Sequence, residues 1–216
     1  QAGLMLRHTV QFHWKNVAPT LPASHTALPF PDFDAFLMSL SQEKRKKIRQ
    51  ERRKVAEAGV TFRWSLGRDI TQSDWDFFYR CYERTYLEHG NAPYLSRDFF
   101  KRMASTLPEA WLLFVAELEG QPIATSLIAL GTEASGTVAY GRYWGALERV
   151  DCLHFEACYY QPLQWCIDHG VQRFEGGAQG EHKMARALMP VKTTSAHWLA
   201  HPAFADAVER FLEREG

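Results

Sequence analysis

Three apolar runs, Trp111–Leu118, Pro122–Leu130 and Thr137–Trp144, follow one another with only short connections between them. Runs this short, bounded by turn residues, read as strands. Strands joined so tightly must pair antiparallel, because a short turn reverses the chain and cannot carry it back to the far end of a sheet. The Glu119-Gly120-Gln121 connection is a hairpin signal. The next element changes the geometry. His154–His169 is an amphipathic helix ended by Gly170, and Val171–Gly176 alternates as a further strand. A strand reached through a helical crossover lies parallel to its neighbour, so the expected architecture is α/β with a mixed sheet and helices on both faces.

The remaining elements extend this frame. Leu4–Trp14 contains an apolar, β-branched strand, and residues 17–31 carry Pro19, Pro22, Pro29 and Pro31, which read as an extended connector. Asp32 or Asp34 caps a helix over 33–58 in which Phe33, Phe36, Leu37 and Leu40 share a face that continues through Ile48 and Val55 to Gly59. Val60–Ser65 is a strand, Thr71 or Ser73 opens a helix toward Glu88, and Ser96 caps a short one through Met103. Beyond the strand at 171–176, a short helical pattern stops at Pro190, Val191–Leu199 forms a strand, and Pro202 starts a last helix. The organisation is a strand and connector over 1–31, then one domain over 32–216.

Charge excludes a global attraction to polyanions. Twenty-five basic residues balance twenty-five acidic ones, so any such attraction is local. It has an obvious place: Lys44, Arg45, Lys46, Lys47, Arg49, Arg52, Arg53 and Lys54 crowd one helix. Like charges at helical spacing repel, and a polyanionic partner would offset that cost. Cys81, Cys152, Cys158 and Cys166 contain no CxxC pair and suit a reducing cytoplasm. No apolar run is long enough to span a membrane. The chain starts at Gln1 and enters strand-like sequence within a few residues, which reads as a piece of something longer.

The densest chemistry lies at the exit of the 171–176 strand. Gly176, Gly177 and Gly180 free the backbone, and Gln179, Glu181, His182, Lys183 and Arg186 follow. A strand end opening through glycines is a common ligand site in α/β proteins, since backbone N–H groups point outward there. Tyr140, Arg142, Tyr143 and Trp144 end a second strand near the same presumed cleft, where Arg142 suits a phosphate or carboxylate. His154 and Cys158 share a helix face, but no second ligand pair has metal-site spacing, so no metal is expected. No G-x-S-x-G motif supports a serine hydrolase.

Four segments together, Leu37–Val55, Ala139–Gly145 (AYGRYWG), His154-Phe155-Glu156 and Gly176–Trp198, resemble the FemAB-like branch of the GNAT acyltransferase superfamily. The resemblance implies a GNAT-like fold with a basic N-terminal helix. It also implies transfer of an aminoacyl group from aminoacyl-tRNA to an amine of a peptidoglycan precursor. Members of that branch have two GNAT-like halves, so this chain corresponds to the second, to be completed by a first half or by another copy. Lys183 matches the family's lysine after the fifth-strand exit and is expected to stabilise the oxyanion. Glu156 is the expected proton acceptor, with His154 or His182 as rivals. Lys46, Lys47, Arg49, Arg52 and Arg53 are the expected tRNA contacts. Acetyl-CoA is a weaker donor candidate, because the junction Gly145–His154 carries acids where a pyrophosphate-binding turn carries glycines. A non-catalytic module that recognises a cell-wall precursor or RNA is the remaining alternative.

Overall fold

The computed structural model describes residues 4–19, 28–178 and 180–215, with Glu181 described for its backbone only. Part of the proline-rich connector, including Pro22, and the candidate Gln179 therefore lie outside the described residues. In chain order the elements are β1 (Met5–Lys15), α1 (Phe33–Met38), α2 (Gln42–Glu57), β2 (Val60–Leu66), α3 (Gln72–Glu88), α4 (Arg97–Thr106), β3 (Trp111–Leu118), β4 (Gln121–Glu133) and β5 (Gly136–Ala146). There follow α5 (Leu153–Phe155), a π-helical turn over Glu156–Tyr160, α6 (Gln161–Asp168), β6 (Arg173–Glu175), a 3-10 turn over Glu181–Arg186, β7 (Met189–His197) and α7 (Pro202–Glu215).

One seven-stranded sheet runs β2-β3-β4-β5-β6-β1-β7. Every pair is antiparallel except β5 with β6, as the meander and crossover require. The β3–β4 hairpin turns on Glu119 and Gly120, both in the left-handed region at φ 52° and 74°. Two left-handed residues in succession match the twist of the strands they join. The first strand is the surprise. β1 sits between β6 and β7, so the N-terminal strand is integral to the sheet.

Local chemistry explains the other departures. The single helix predicted over 33–58 is two. Ser39 donates its hydroxyl to the Phe36 carbonyl at 2.6 Å and Ser41 caps α2 by accepting from the Lys44 N–H, so the chain ends one helix and starts another within a few residues. Asp32 caps α1 and Thr71 caps α3, settling both alternatives. Pro190 does not end a helix; it lies inside β7, opposite Phe12, and is tolerated because β7 is an edge strand.

The two sheet faces carry separate cores. Leu112, Phe114, Ile128 and Phe174 pack with Phe36, Ile48, Tyr160 and Leu163 on one side. Leu113, Val115 and Leu127 pack with Phe78, Tyr82 and Phe100 on the other. Gly145 marks the closest approach of α3 to the sheet: a Cβ there would lie 2.0 Å from the Cys81 carbonyl oxygen. Backbone cannot yield as a side chain would, so Gly145→Ala is expected to cost roughly 3 kcal/mol or more of stability, measurable by urea denaturation.

Candidate active site

The site begins where β5 and β6 part. They pair only over Val138–Tyr140 and Arg173–Glu175. β5 runs on to Ala146, while Gly176 donates its N–H to Phe12 at 2.8 Å and the chain turns toward β1. Just past the parting, the β4 register jumps from Leu127–Tyr143 to Ile128–Gly141, leaving Arg142 as a bulged residue with no partner opposite. A cleft of about 150 Å³ opens there, walled by Ser126, Gly141, Trp144, His154, Cys158, Tyr159, Phe174 and Gly176. Tyr140–Gly145 was expected as a strand exit. It lies within β5, and the parting of β6 is what creates the opening.

Lys183 lies near this opening, its stem beside Gly176, but it is not among the residues that wall it. Its side chain is 7% exposed, with Nζ 5.9 Å from the Phe12 ring centroid. Burial lowers its pKa, partly offset by the Cys158 thiol. Among the described residues no carboxylate lies within ion-pair distance. Gly176 makes room for Leu188 beside it. A Cβ on Gly176 would collide with Leu188 Cδ2, while the Lys183 stem passes both Gly176 and Gly177 at ordinary contact distance, 3.7 and 3.9 Å from where a Cβ would stand.

Two histidines flank the cleft. His182 is exposed, with Nε2 3.4 Å from the Tyr159 hydroxyl, and its pKa is lowered by burial and by the Arg186 and Lys183 charges. His154 lies edge-on to Trp144 at 5.1 Å between centroids. Burial, with His182 and Arg186 nearby, brings its pKa down to about 4. Both imidazoles are therefore neutral near pH 7. The unfolded chain takes up a proton at His154 near pH 6.5 and the folded one only near 4, so stability falls as pH drops through that window. Between pH 7.5 and 4.5 His154 is expected to account for about 2–3 kcal/mol of that loss, which His154→Asn should remove in paired urea melts.

Glu156 and Arg186 occupy other positions than those expected. The π turn swings the Glu156 carboxylate to α2, where Arg52 pairs with it at 3.0 Å and Gln161 donates to it at 2.7 Å. A carboxylate so engaged, on the side away from Cys158 and Tyr159, is not placed to take a proton in the cleft. Arg52 in turn also donates to Gln164 and lies over the Phe33 ring, which withdraws it from the exposed cations. Arg186 is 1% exposed, pairs with Glu51 at 2.9 Å and stacks on Phe155 at 3.4 Å, so its guanidinium is engaged inside the protein.

The aromatic residues divide between the sheet faces. Tyr140 donates to Glu133 at 3.1 Å, beside Arg173 and away from the cleft lining. Arg142, Tyr143 and Trp144 line both the small cleft and a neighbouring one of about 450 Å³ that also has Tyr82, Tyr86, His89 and Asn91 in its wall. Trp144 and His154 border a third, of about 770 Å³, with Arg84, Glu148 and Arg149. Trp144 is therefore the wall shared by all three. On α2, Arg45, Lys46, Arg49 and Arg53 line one groove of about 580 Å³ with Gln42 and Gln50, and Lys47 is exposed nearby. Lys54 pairs with Asp151 at 2.8 Å.

The residue sequence reasoning missed is Glu51. Its signal was legible: Ile48, Glu51 and Val55 fall on one helical face, and all three are buried.

A mixed sheet whose parallel pair parts around a bulge, with a crossover helix beside the opening, is a GNAT-like fold. The family model for FemAB-like proteins of peptidoglycan biosynthesis/recognition matches residues 1–216, and the chain belongs to that family. Among solved structures it is similar to the C-terminal domain (DUF2156) of a candidate lysylphosphatidylglycerol synthetase from Agrobacterium fabrum, at 13% identity and TM-score 0.62, covering 98% of this chain and 67% of that one. L-PGS from Bacillus licheniformis matches at 12% identity and TM-score 0.60, over 96% and 67% of the two chains. FemX matches at 12% identity and TM-score 0.57, over 91% and 68%. The chain thus spans about two-thirds of each of these. A search of curated proteins finds no match. No helix of the described residues is long and apolar enough to cross a membrane.

Proposed function

We propose that this chain is the transfer domain of an aminoacyltransferase that takes an aminoacyl group from aminoacyl-tRNA and gives it to an amine of a peptidoglycan precursor. The observation that carries the reading is Lys183: a cation with no acidic partner among the described residues, placed beside a glycine-lined opening between diverging strands. A neutral acceptor amine attacks the ester carbonyl carbon, the new C–N bond forms, and the oxyanion of the tetrahedral intermediate is held by the Lys183 ammonium. His182, neutral at pH 7 and beside Tyr159, takes the amine proton and passes it to the leaving ribose oxygen as the C–O bond breaks. Glu156 is not given this role, because Arg52 holds it.

The donor reading draws on α2, whose groove of exposed cations suits phosphates. It also draws on the β5–α5 junction, where Glu148 and Arg149 are exposed and glycines for a pyrophosphate turn are lacking. Purified protein with charged tRNA and a peptidoglycan precursor is expected to form the aminoacylated amine, followed by mass spectrometry. Acetyl transfer from acetyl-CoA, without transfer from charged tRNA, would overturn the proposal. Specific binding of the precursor with no transfer from either donor would favour a recognition module.

A further inference from the structure

The basic helix and the turn carrying Lys183 are joined by a buried cluster that the transfer steps do not use. Glu51 extends from α2 at 8% exposure. Both its oxygens accept from Arg186 Nη2 at 2.9 Å, and it accepts a short hydrogen bond from the Tyr160 hydroxyl. Arg186 closes the figure. Its Nη1 donates to the His182 carbonyl at 2.7 Å, so one guanidinium ties the beginning of the 181–186 turn to its end and both to α2. The Phe155 ring backs the guanidinium, and Nε has no partner among the described residues. Among the described residues no other ion pair reaches the turn, and Gly180 at its start offers no side-chain cap.

We propose that Glu51 is a positioning residue: through Arg186 and Tyr160 it locks the Glu181–Arg186 turn so that the Lys183 side chain lies in over Gly177, and it makes the basic helix and that turn one rigid unit. The physical reason is that a buried guanidinium must keep its carboxylate, so the turn cannot shift without stranding a charge. The titratable groups near Lys183 are Cys158 on the π turn and His182 on its own turn, with the Phe12 ring of β1 on the remaining side. This inference rests on the assignment of Lys183 to the transfer step, and it is tested partly without that step.

The measurement is the pH profile of Lys183 labelling by trinitrobenzenesulfonate, read by peptide mass spectrometry, in the wild type, Glu51→Gln, Tyr160→Phe and the double variant E51Q/R186M. Alongside it, steady-state transfer is followed with charged tRNA. Released from its anchor, the turn should let Lys183 reach water, and its labelling midpoint should move up toward that of an exposed lysine. kcat should fall on the order of 10²-fold with the donor KM within about threefold, as for a misplaced catalytic group. The double variant leaves no charge stranded, and Tyr160→Phe removes only a hydroxyl, so at least these fold without an orphaned ion. An unchanged Lys183 profile in folded variants, or a loss of turnover that follows the lowered Tm alone, overturns the proposal. If Lys183→Met transfers normally, the transfer reading fails while the labelling profile still judges the anchor.

Discussion

Lys183→Met is expected to lower aminoacyl transfer by about 10²–10³-fold, the usual loss when a preorganised donor to an oxyanion is removed. Methionine keeps the buried aliphatic stem and deletes only the charge. Because burial already disfavours the ammonium in the folded protein, losing it should not destabilise the domain, and the urea midpoint is expected to hold or rise. The sign follows from proton binding: a lysine whose folded pKa is lowered binds its proton less well folded than unfolded, so the charge contributes no stability at pH 7. A variant that folds, binds donor and fails to transfer would place Lys183 on the reacting atoms. One that transfers at the wild-type rate would remove it from the mechanism. Lys183→Arg is the sharper companion, since it keeps the charge and changes the length and shape of the head.

The second large effect concerns α2. Arg45, Lys46, Arg49 and Arg53 line the groove, whereas Arg52 and Lys54 are paired with Glu156 and Asp151. Changing the four groove cations to Gln is expected to weaken charged-tRNA binding at least about 10²-fold at low salt and to flatten the salt dependence by roughly three in log–log slope, close to one ion per lost phosphate contact. Arg52→Gln should behave differently. It strands Glu156 and is expected to show first as lost stability, of order 3 kcal/mol, with the salt slope nearly unchanged. Equilibrium binding across a salt series, with thermal melts of the same preparations, separates the two. A quadruple variant with wild-type affinity and slope would take tRNA off this helix.

Much of the architecture was readable because it rests on local rules. The β3–β4–β5 meander follows from apolar runs and the Glu119-Gly120 turn, and the crossover to β6 follows from the helix ended by Gly170. What was unreadable depends on partners distant in sequence. Nothing in Leu4–Trp14 announces that β1 pairs with residues 173–175 and 189–197. The same holds within the site. Lys183 and the glycines before it were legible from spacing, and they do lie together. Glu156 was read as a base because it is a carboxylate among apolar neighbours on the crossover helix, yet a π turn and Arg52 turn it toward α2. Arg186 was read as a substrate-binding cation at the strand exit, for want of any sign that Glu51, 135 residues earlier, comes to meet it.

The insertion of β1 between β6 and β7 also sets an order of events. On a ribosome, β1 emerges long before its ladder partners, which run from Arg173 to His197. Until then an alternating strand with Phe12 and Trp14 on it has nowhere to dock, and β5 presents an open edge. Contacts spanning most of a chain are slow to close and leave sticky intermediates. The meander and its helices have their partners early; the ground on which Lys183 stands is laid only when β1 meets β6 and β7. Nascent chains halted before residue 173 should therefore be caught by chaperones and show no protected β1, whereas release past 197 should bring protection of both at once.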